Sequence, residues 1–225
     1  MKKYSNLQLT IEMPKRTAFG REDFLVNKCN ISAVNFIDNF YKTDSKSGIL
    51  IGSKGSGKTH LVNVFCNNLN KENWYFLELN QGDIFDIFSN NDVIIIENIE
   101  KITSKEEEVI LFHSVNLSKE LSKVLLLTSS KKVSELNIQT PDLRSRLEAM
   151  QITTILEPDD ILMEALIIKL FNDRQLVVKP KVVNFLMQRV DRSYLGIMEI
   201  IDFLDNSSLS QKKSISIKFI NELLN

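Results

Sequence analysis

The chain has 225 residues, 43% of them hydrophobic, which is enough for one good core with a small appended subdomain. A formal net charge of −1 supplies no global attraction to nucleic acid or to an anionic membrane, and the lysine pairs at 2–3, 131–132 and 212–213 are scattered. No run approaches the roughly 20 apolar residues of a membrane helix, the first six residues lead into no signal-peptide core, and Cys29 and Cys66 have neither metal nor disulfide spacing, so a cytoplasmic protein is expected.

Residues 48–51 are the first predicted strand. Gly52-Ser53-Lys54-Gly55-Ser56-Gly57-Lys58-Thr59 follows it, and a helical run over 60–69 comes next. The octapeptide fits G-x-x-x-x-G-K-[ST] in the strand–loop–helix setting where that pattern has physical meaning. Its glycines let backbone N–H groups turn toward a phosphate, and the helix N-terminus adds partial positive charge. Lys58 is assigned to the β- and γ-phosphates and the Thr59 hydroxyl to Mg²⁺. Gly52, Ser53, Gly55, Ser56, Gly57 and His60 complete the cradle of a nucleoside di- or triphosphate.

Further apolar runs at 74–79, 93–96, 124–128 and 152–156 alternate with helical stretches such as 104–119, the pattern of a parallel sheet covered on both faces. The run at 93–96 ends in Glu97, the candidate acid for the Mg²⁺ shell. Asn98 stands where an active ATPase of this layout carries a second carboxylate. An amide orients water but takes no proton from it at neutral pH, so at most weak intrinsic hydrolysis is expected, with Glu100 as a partial substitute on an extended chain. Thr128, and after it Ser129, is the candidate γ-phosphate sensor at the end of the next strand. Arg144 and Arg146 then lie two positions apart; a guanidinium on a helix end suits a phosphate across a subunit interface, and ordinary surface pairing is the other reading.

After Pro158 only amphipathic helices are predicted. One is capped by Asp159 or Asp160 and runs to about 173, and one begins at Pro180 with Val183, Leu186, Met187 and Val190 on a face. A third carries Ile197, Ile200, Ile201 and Leu204, and a short fourth spans 217–224. The expected architecture is α/β: a P-loop core with a parallel five-stranded sheet, then a small α-helical lid.

Together these segments resemble the AAA+ superfamily and, within it, the DnaA/Hda family, more closely the Hda-type regulators of α-proteobacterial type. Ile95-Ile96-Glu97-Asn98-Ile99-Glu100 is similar to that group's second nucleotide motif, and Asp142-Leu143-Arg144-Ser145-Arg146-Leu147 to its arginine-finger segment, with the finger at Arg146. Residues 19–26 resemble an N-terminal segment that packs near adenine. Gln8-Leu9-Thr10-Ile11-Glu12-Met13 resembles a sliding-clamp-binding peptide, in which Gln8, Leu9, Ile11 and Met13 are the anchors. The resemblance implies a clamp-binding tail over 1–14, a nucleotide-binding core over 15–158 and a lid over 159–225.

The function so implied is regulation of replication initiation. A protein holding ADP or ATP with Mg²⁺ docks on the DNA polymerase sliding clamp (beta) and stimulates hydrolysis of DnaA-bound ATP. Homo-oligomers are a further option, contact with DNA is indirect or weak, and no membrane is involved. Three positions depart from the family: Glu97 replaces Asp, Glu12 stands where the clamp peptide has Pro, and Leu195 takes the place of a lid arginine, with Arg192 as stand-in. The alternative is a DnaA-like initiator variant or helicase loader that binds DNA through its own ATP cycle. Against it, the chain stops at Asn225 with no duplex-reading helix-turn-helix after the lid. A small-molecule kinase would explain the phosphate loop and neither the arginine pair nor the lid.

Overall fold

The computed structural model of the chain describes residues 24–42, 46–69, 72–80 and 83–224. Five parallel strands, β1 (Ser47–Gly52), β2 (Trp74–Phe76), β3 (Val93–Ile96), β4 (Val124–Ser129) and β5 (Gln151–Ile155), form one sheet in the order β2-β3-β4-β1-β5. The central strands β3, β4 and β1 are buried on both faces, which is why they are runs of Ile, Leu and Val rather than alternating, while the edge strands β2 and β5 are more exposed. Ile49, Ile94, Ile96, Leu125 and Leu127 point to one side, and Leu50, Val93, Ile95, Val124 and Leu126 to the other.

Helices α1 (Ile31–Asn39) and α2 (Lys58–Asn68) cover the second side; α3 (Ile84–Asn90), α4 (Lys105–Glu120) and α5 (Pro141–Glu148) cover the first. α1 was not among the sequence expectations, although Ala33, Val34, Phe36 and Ile37 give it an apolar stripe of helical period. It explains a glycine: a Cβ on Gly48 would stand 2.6 Å from the Phe36 ring and 2.7 Å from that of Phe40, so α1 packs against β1 only because no side chain is there. β2 is shorter than expected and ends at Phe76. Leu77 N still donates to Ile95 O at 2.8 Å, but the chain then leaves the sheet edge. β5 is likewise displaced by one residue from the expected 152–156.

Four helices follow: α6 (Asp160–Asp173), α7 (Pro180–Met187), α8 (Tyr194–Gln211) and α9 (Ile217–Leu224). Local chemistry sets their starts. The Asp159 carboxylate accepts from Leu162 N at 2.9 Å, Pro180 occupies the first turn of α7, and Ser193 Oγ accepts from Gly196 N at 3.0 Å. α7 stops at Met187, so Val190 joins its apolar face from the following turn. Met163, Ile167, Phe171, Leu186, Ile197, Ile201, Leu204 and Ile220 form a core separate from both faces of the sheet. Inside this unit Arg174 grips Asp202 Oδ1 through Nε at 3.0 Å and Nη2 at 2.5 Å. Among the described residues no helix is long and apolar enough to cross a membrane.

Candidate nucleotide site

β1 delivers the chain at Gly52 into a tight loop, and α2 begins at Lys58. Gly55 and Gly57 take φ of 76° and 97°, left-handed backbone that side-chain-bearing residues rarely adopt. The Lys58 ammonium is buried within the loop and donates to the carbonyls of Gly52 at 2.7 Å and Ser53 at 3.1 Å. Burial pushes its pKa down, while the carboxylates of Glu100 and Glu97 pull it back up. Ser56 Oγ is buried with no hydrogen-bond partner among the described residues. An orphaned hydroxyl, a buried ammonium and a glycine cradle together fit a polyphosphate, whose oxygens satisfy such donors.

The Thr59 hydroxyl donates to Glu97 Oε1 at 2.8 Å. The extra methylene of glutamate therefore reaches the threonine directly, and the two oxygens suit Mg²⁺ with its water shell. From this pair a cleft of about 660 Å³ runs past Asn63 to residues 76–80 and Lys101. On the other side of the loop the rings of Phe24 and His60 meet edge to face, 5.2 Å between centroids, and a Cβ on Gly57 would lie 3.1 Å from Phe24. Phe24 thus packs directly on the phosphate loop.

Asn98 corrects one expectation. Its φ of 59° and ψ of 48° are left-handed, a conformation asparagine tolerates better than most residues, and Ile99–Lys101 then forms a 3₁₀ turn. The chain is not extended here, so Glu100 does not share a side with Asn98. Its carboxylate instead folds over the tip of β4 and accepts from Ser130 N at 3.0 Å. Burial alone would raise its pKa; the Ser130 hydrogen bond and the Lys58 charge hold it below the usual carboxylate value. Thr128 is fully buried and its Oγ1 accepts from Asn98 N at 3.0 Å, so it touches the site through that residue. Ser129 Oγ is turned to its own strand end, where it donates to Lys131 O and accepts from Lys131 N.

The two arginines are unlike each other. Arg144 is consumed by the loop before α5: its guanidinium donates to the carbonyls of Ser134, Leu136 and Ile138, the last at 2.8 Å. From beneath, the buried Glu108 carboxylate accepts from Gln139 N at 3.0 Å and Thr140 N at 2.6 Å. Burial opposes ionisation of Glu108, yet these N–H groups and the Arg144 charge hold its pKa below normal. Sequence reasoning missed Glu108, because a glutamate in the run 106–108 looks like any first-turn acid of a helix. Arg146 remains 38% exposed, paired with Asp142 at 3.1 Å and lying 5.6 Å over the Phe112 ring.

The lid meets the loop at Leu195. Leu195 N donates to Gly55 O at 3.3 Å, and a Cβ on Gly55 would stand 2.3 Å from Leu195 Cβ. Arg192 is directed elsewhere: its Nη2 donates to Asp160 Oδ1 at 2.6 Å and to the Pro158 carbonyl at 3.2 Å, at the junction of sheet unit and lid. Gln8, Leu9, Ile11 and Met13 lie outside the described residues, as does most of 19–26.

Comparison with known proteins gives two family matches: the model described as the Hda lid domain matches residues 161–224, and one described as RNA helicase matches residues 48–133. An uncharacterised protein of Haemophilus influenzae is 28% identical over 186 residues, 77% of this chain and 79% of the relative. Among solved structures, domain III of the Thermotoga maritima replication initiation protein DnaA superposes with a TM-score of 0.78 at 18% identity, covering 92% of this chain and 95% of that one. A replication initiator DnaA bound to AMPPCP and single-stranded DNA gives 0.71 at 19% identity, over 81% of this chain and 63% of that one. The Thermotoga maritima RuvB Holliday junction branch migration motor gives 0.64 at 14% identity, over 87% of this chain and 65% of that one. The fold is the AAA+ fold of DnaA with a C-terminal helical lid.

Proposed function

From the match of residues 161–224 to the Hda lid domain and the DnaA-like fold, we propose that this chain is a nucleotide-bound regulator of replication initiation, which stimulates hydrolysis of the ATP held by a DnaA subunit. ADP or ATP binds along Gly52, Ser53, Gly55, Ser56, Gly57, Lys58, Thr59 and His60, with Mg²⁺ at Thr59 and Glu97. The metal would neutralise charge between the phosphates. Residues 1–14 serve as the tail that docks on the sliding clamp, 15–158 as the core and 159–225 as the lid. Asn98 keeps intrinsic hydrolysis weak.

The observation that carries this reading is the division of labour between Arg144 and Arg146. Arg144 and Glu108 clamp residues 134–140 from above and below, and so fix the direction in which α5 leaves. Arg146, one half-turn on, has among the described residues an i,i+4 carboxylate and a ring face, contacts weak enough to exchange for a phosphate. A planar cation on a rigid helix suits bidentate contact with the developing charge of a transferring phosphoryl group.

The test is turnover of DnaA-bound ATP in the presence of clamp-loaded DNA, with the protein intact, with Arg146→Ala or with Gln8→Ala. Stimulation by the intact protein alone is expected. Equal stimulation by Arg146→Ala overturns the finger, equal stimulation by Gln8→Ala overturns the tail, and tight binding to origin duplex at physiological salt would favour an initiator variant instead.

A further inference from the structure

The residue that removes the ordinary second carboxylate from this site is also the residue whose backbone brings in another. Asn98 turns the chain left-handed, the 3₁₀ turn Ile99–Lys101 follows, and Glu100 is carried sideways across the sheet rather than onward along β3. Its carboxylate lands on the tip of β4, held by Ser130 N at 3.0 Å. β4 is the strand between β3 and β1, and Ser129 is in register with Ile51. The next residue along β1, Gly52, and its neighbour Ser53 present the carbonyls that hold the Lys58 ammonium. Glu100 is therefore poised over the gap between the acid-bearing strand and the phosphate loop, where a γ-phosphate gripped by Lys58 would face solvent. The electrostatics agree: Glu100 raises the Lys58 pKa more than Glu97 does.

We infer that Glu100 is the water-orienting carboxylate of a slow hydrolysis of the chain's own ATP, and that this reaction loads the protein with ADP. The inference rests on the nucleotide-binding part of the reading above and is independent of the DnaA partner. One water attacks the γ-phosphorus; its oxygen forms the new P–O bond as the bond to the β,γ-bridging oxygen breaks, with that electron pair leaving on ADP. The water's proton passes through the Glu100 carboxylate to the released inorganic phosphate. Ser130 N fixes one carboxylate oxygen, and the other is the acceptor for water.

Glu100→Gln is the informative variant, because a glutamine Oε1 still accepts from Ser130 N and keeps the turn in place while removing the proton acceptor. Single-turnover hydrolysis of Mg·ATP should slow by about tenfold or more, and Glu100→Asp should retain part of the rate. The readout besides turnover is occupancy: nucleotide extracted from the purified chain should be mostly ADP for the native protein and mostly ATP for Glu100→Gln, with ATP affinity equal within about twofold. Unchanged turnover and unchanged ADP occupancy in Glu100→Gln would overturn the assignment while leaving the nucleotide site intact. Loss of ATP affinity in that variant would overturn it too, reducing Glu100 to a structural tie. Failure of the native chain to bind ATP at all would remove both this inference and the nucleotide reading.

Discussion

Replacing Glu108 by alanine tests the account of how Arg146 is presented. The carboxylate is 4% exposed and takes hydrogen bonds from two backbone N–H groups, Gln139 N at 3.0 Å and Thr140 N at 2.6 Å. Bonds to a charged acceptor contribute about 1.5–3 kcal/mol each, so two give about 3–6 kcal/mol. Releasing the carboxylate from its buried position offsets part of that, which leaves an expected loss of about 2–4 kcal/mol. For a chain of this size that corresponds to a fall of roughly 4–16 °C in Tm. Urea unfolding followed by Trp74 fluorescence is the assay, because the single tryptophan sits on β2 and reports the sheet unit rather than the lid.

The pH dependence supplies the sign. A carboxyl held below its usual pKa contributes stability that is complete above the unfolded value, near 4.3, and is lost as pH falls through the lower folded value. The difference between the native protein and Glu108→Ala should thus be full at pH 7 and close in acid. A loss under about 1 kcal/mol at neutral pH, or a gap that persists in strong acid, would refute the clamp.

Arg144→Ala should destabilise by about 1–3 kcal/mol, since three carbonyls and the Glu108 charge lose their partner. By contrast Arg146→Ala should stay within about 0.5 kcal/mol, the worth of an exposed i,i+4 pair, while under the proposed function the stimulation of DnaA-bound ATP turnover should be lost. The same urea curves, run beside the turnover assay, separate the two. Gly55→Ala meets both a φ of 76° and Leu195 Cβ at 2.3 Å. It should cost about 1–2 kcal/mol in backbone strain alone, weaken nucleotide binding, and speed amide exchange at Leu195; exchange equal to that of the native protein would deny the lid contact.

Much of this was legible in the sequence because burial and phosphate recognition leave local signatures. Short aliphatic runs placed β1, β3 and β4 nearly to the residue, and Asp159 and Pro180 marked helix starts by chemistry a single chain position can carry, whereas the Ser193 cap of α8 emerged only in the structure. What was not legible depends on partners far away along the chain. Glu108 is distinguished from Glu106 and Glu107 only by 31- and 32-residue jumps to Gln139 and Thr140. The fate of Arg144 depended on where three carbonyls of a loop happened to converge. Asn98 could be read as a missing carboxylate, but its left-handed backbone, and hence the route of Glu100, is a tertiary fact set by Thr128 and Ser130. The pairing of Arg192 with Asp160 and the Pro158 carbonyl likewise spans more than thirty residues of chain.

The contact between Leu195 and Gly55 joins one main chain to another. A hydrogen bond from N–H to C=O does not record which side chain is attached, so it survives substitution at position 195 provided the Cβ still clears the glycine. Lid docking is therefore buffered against drift at that position, and the constraint passes to Gly55, whose missing side chain makes the approach feasible. A lineage can exchange the lid residue for any that keeps its backbone N–H; a side chain at position 55 strains the loop and displaces the lid.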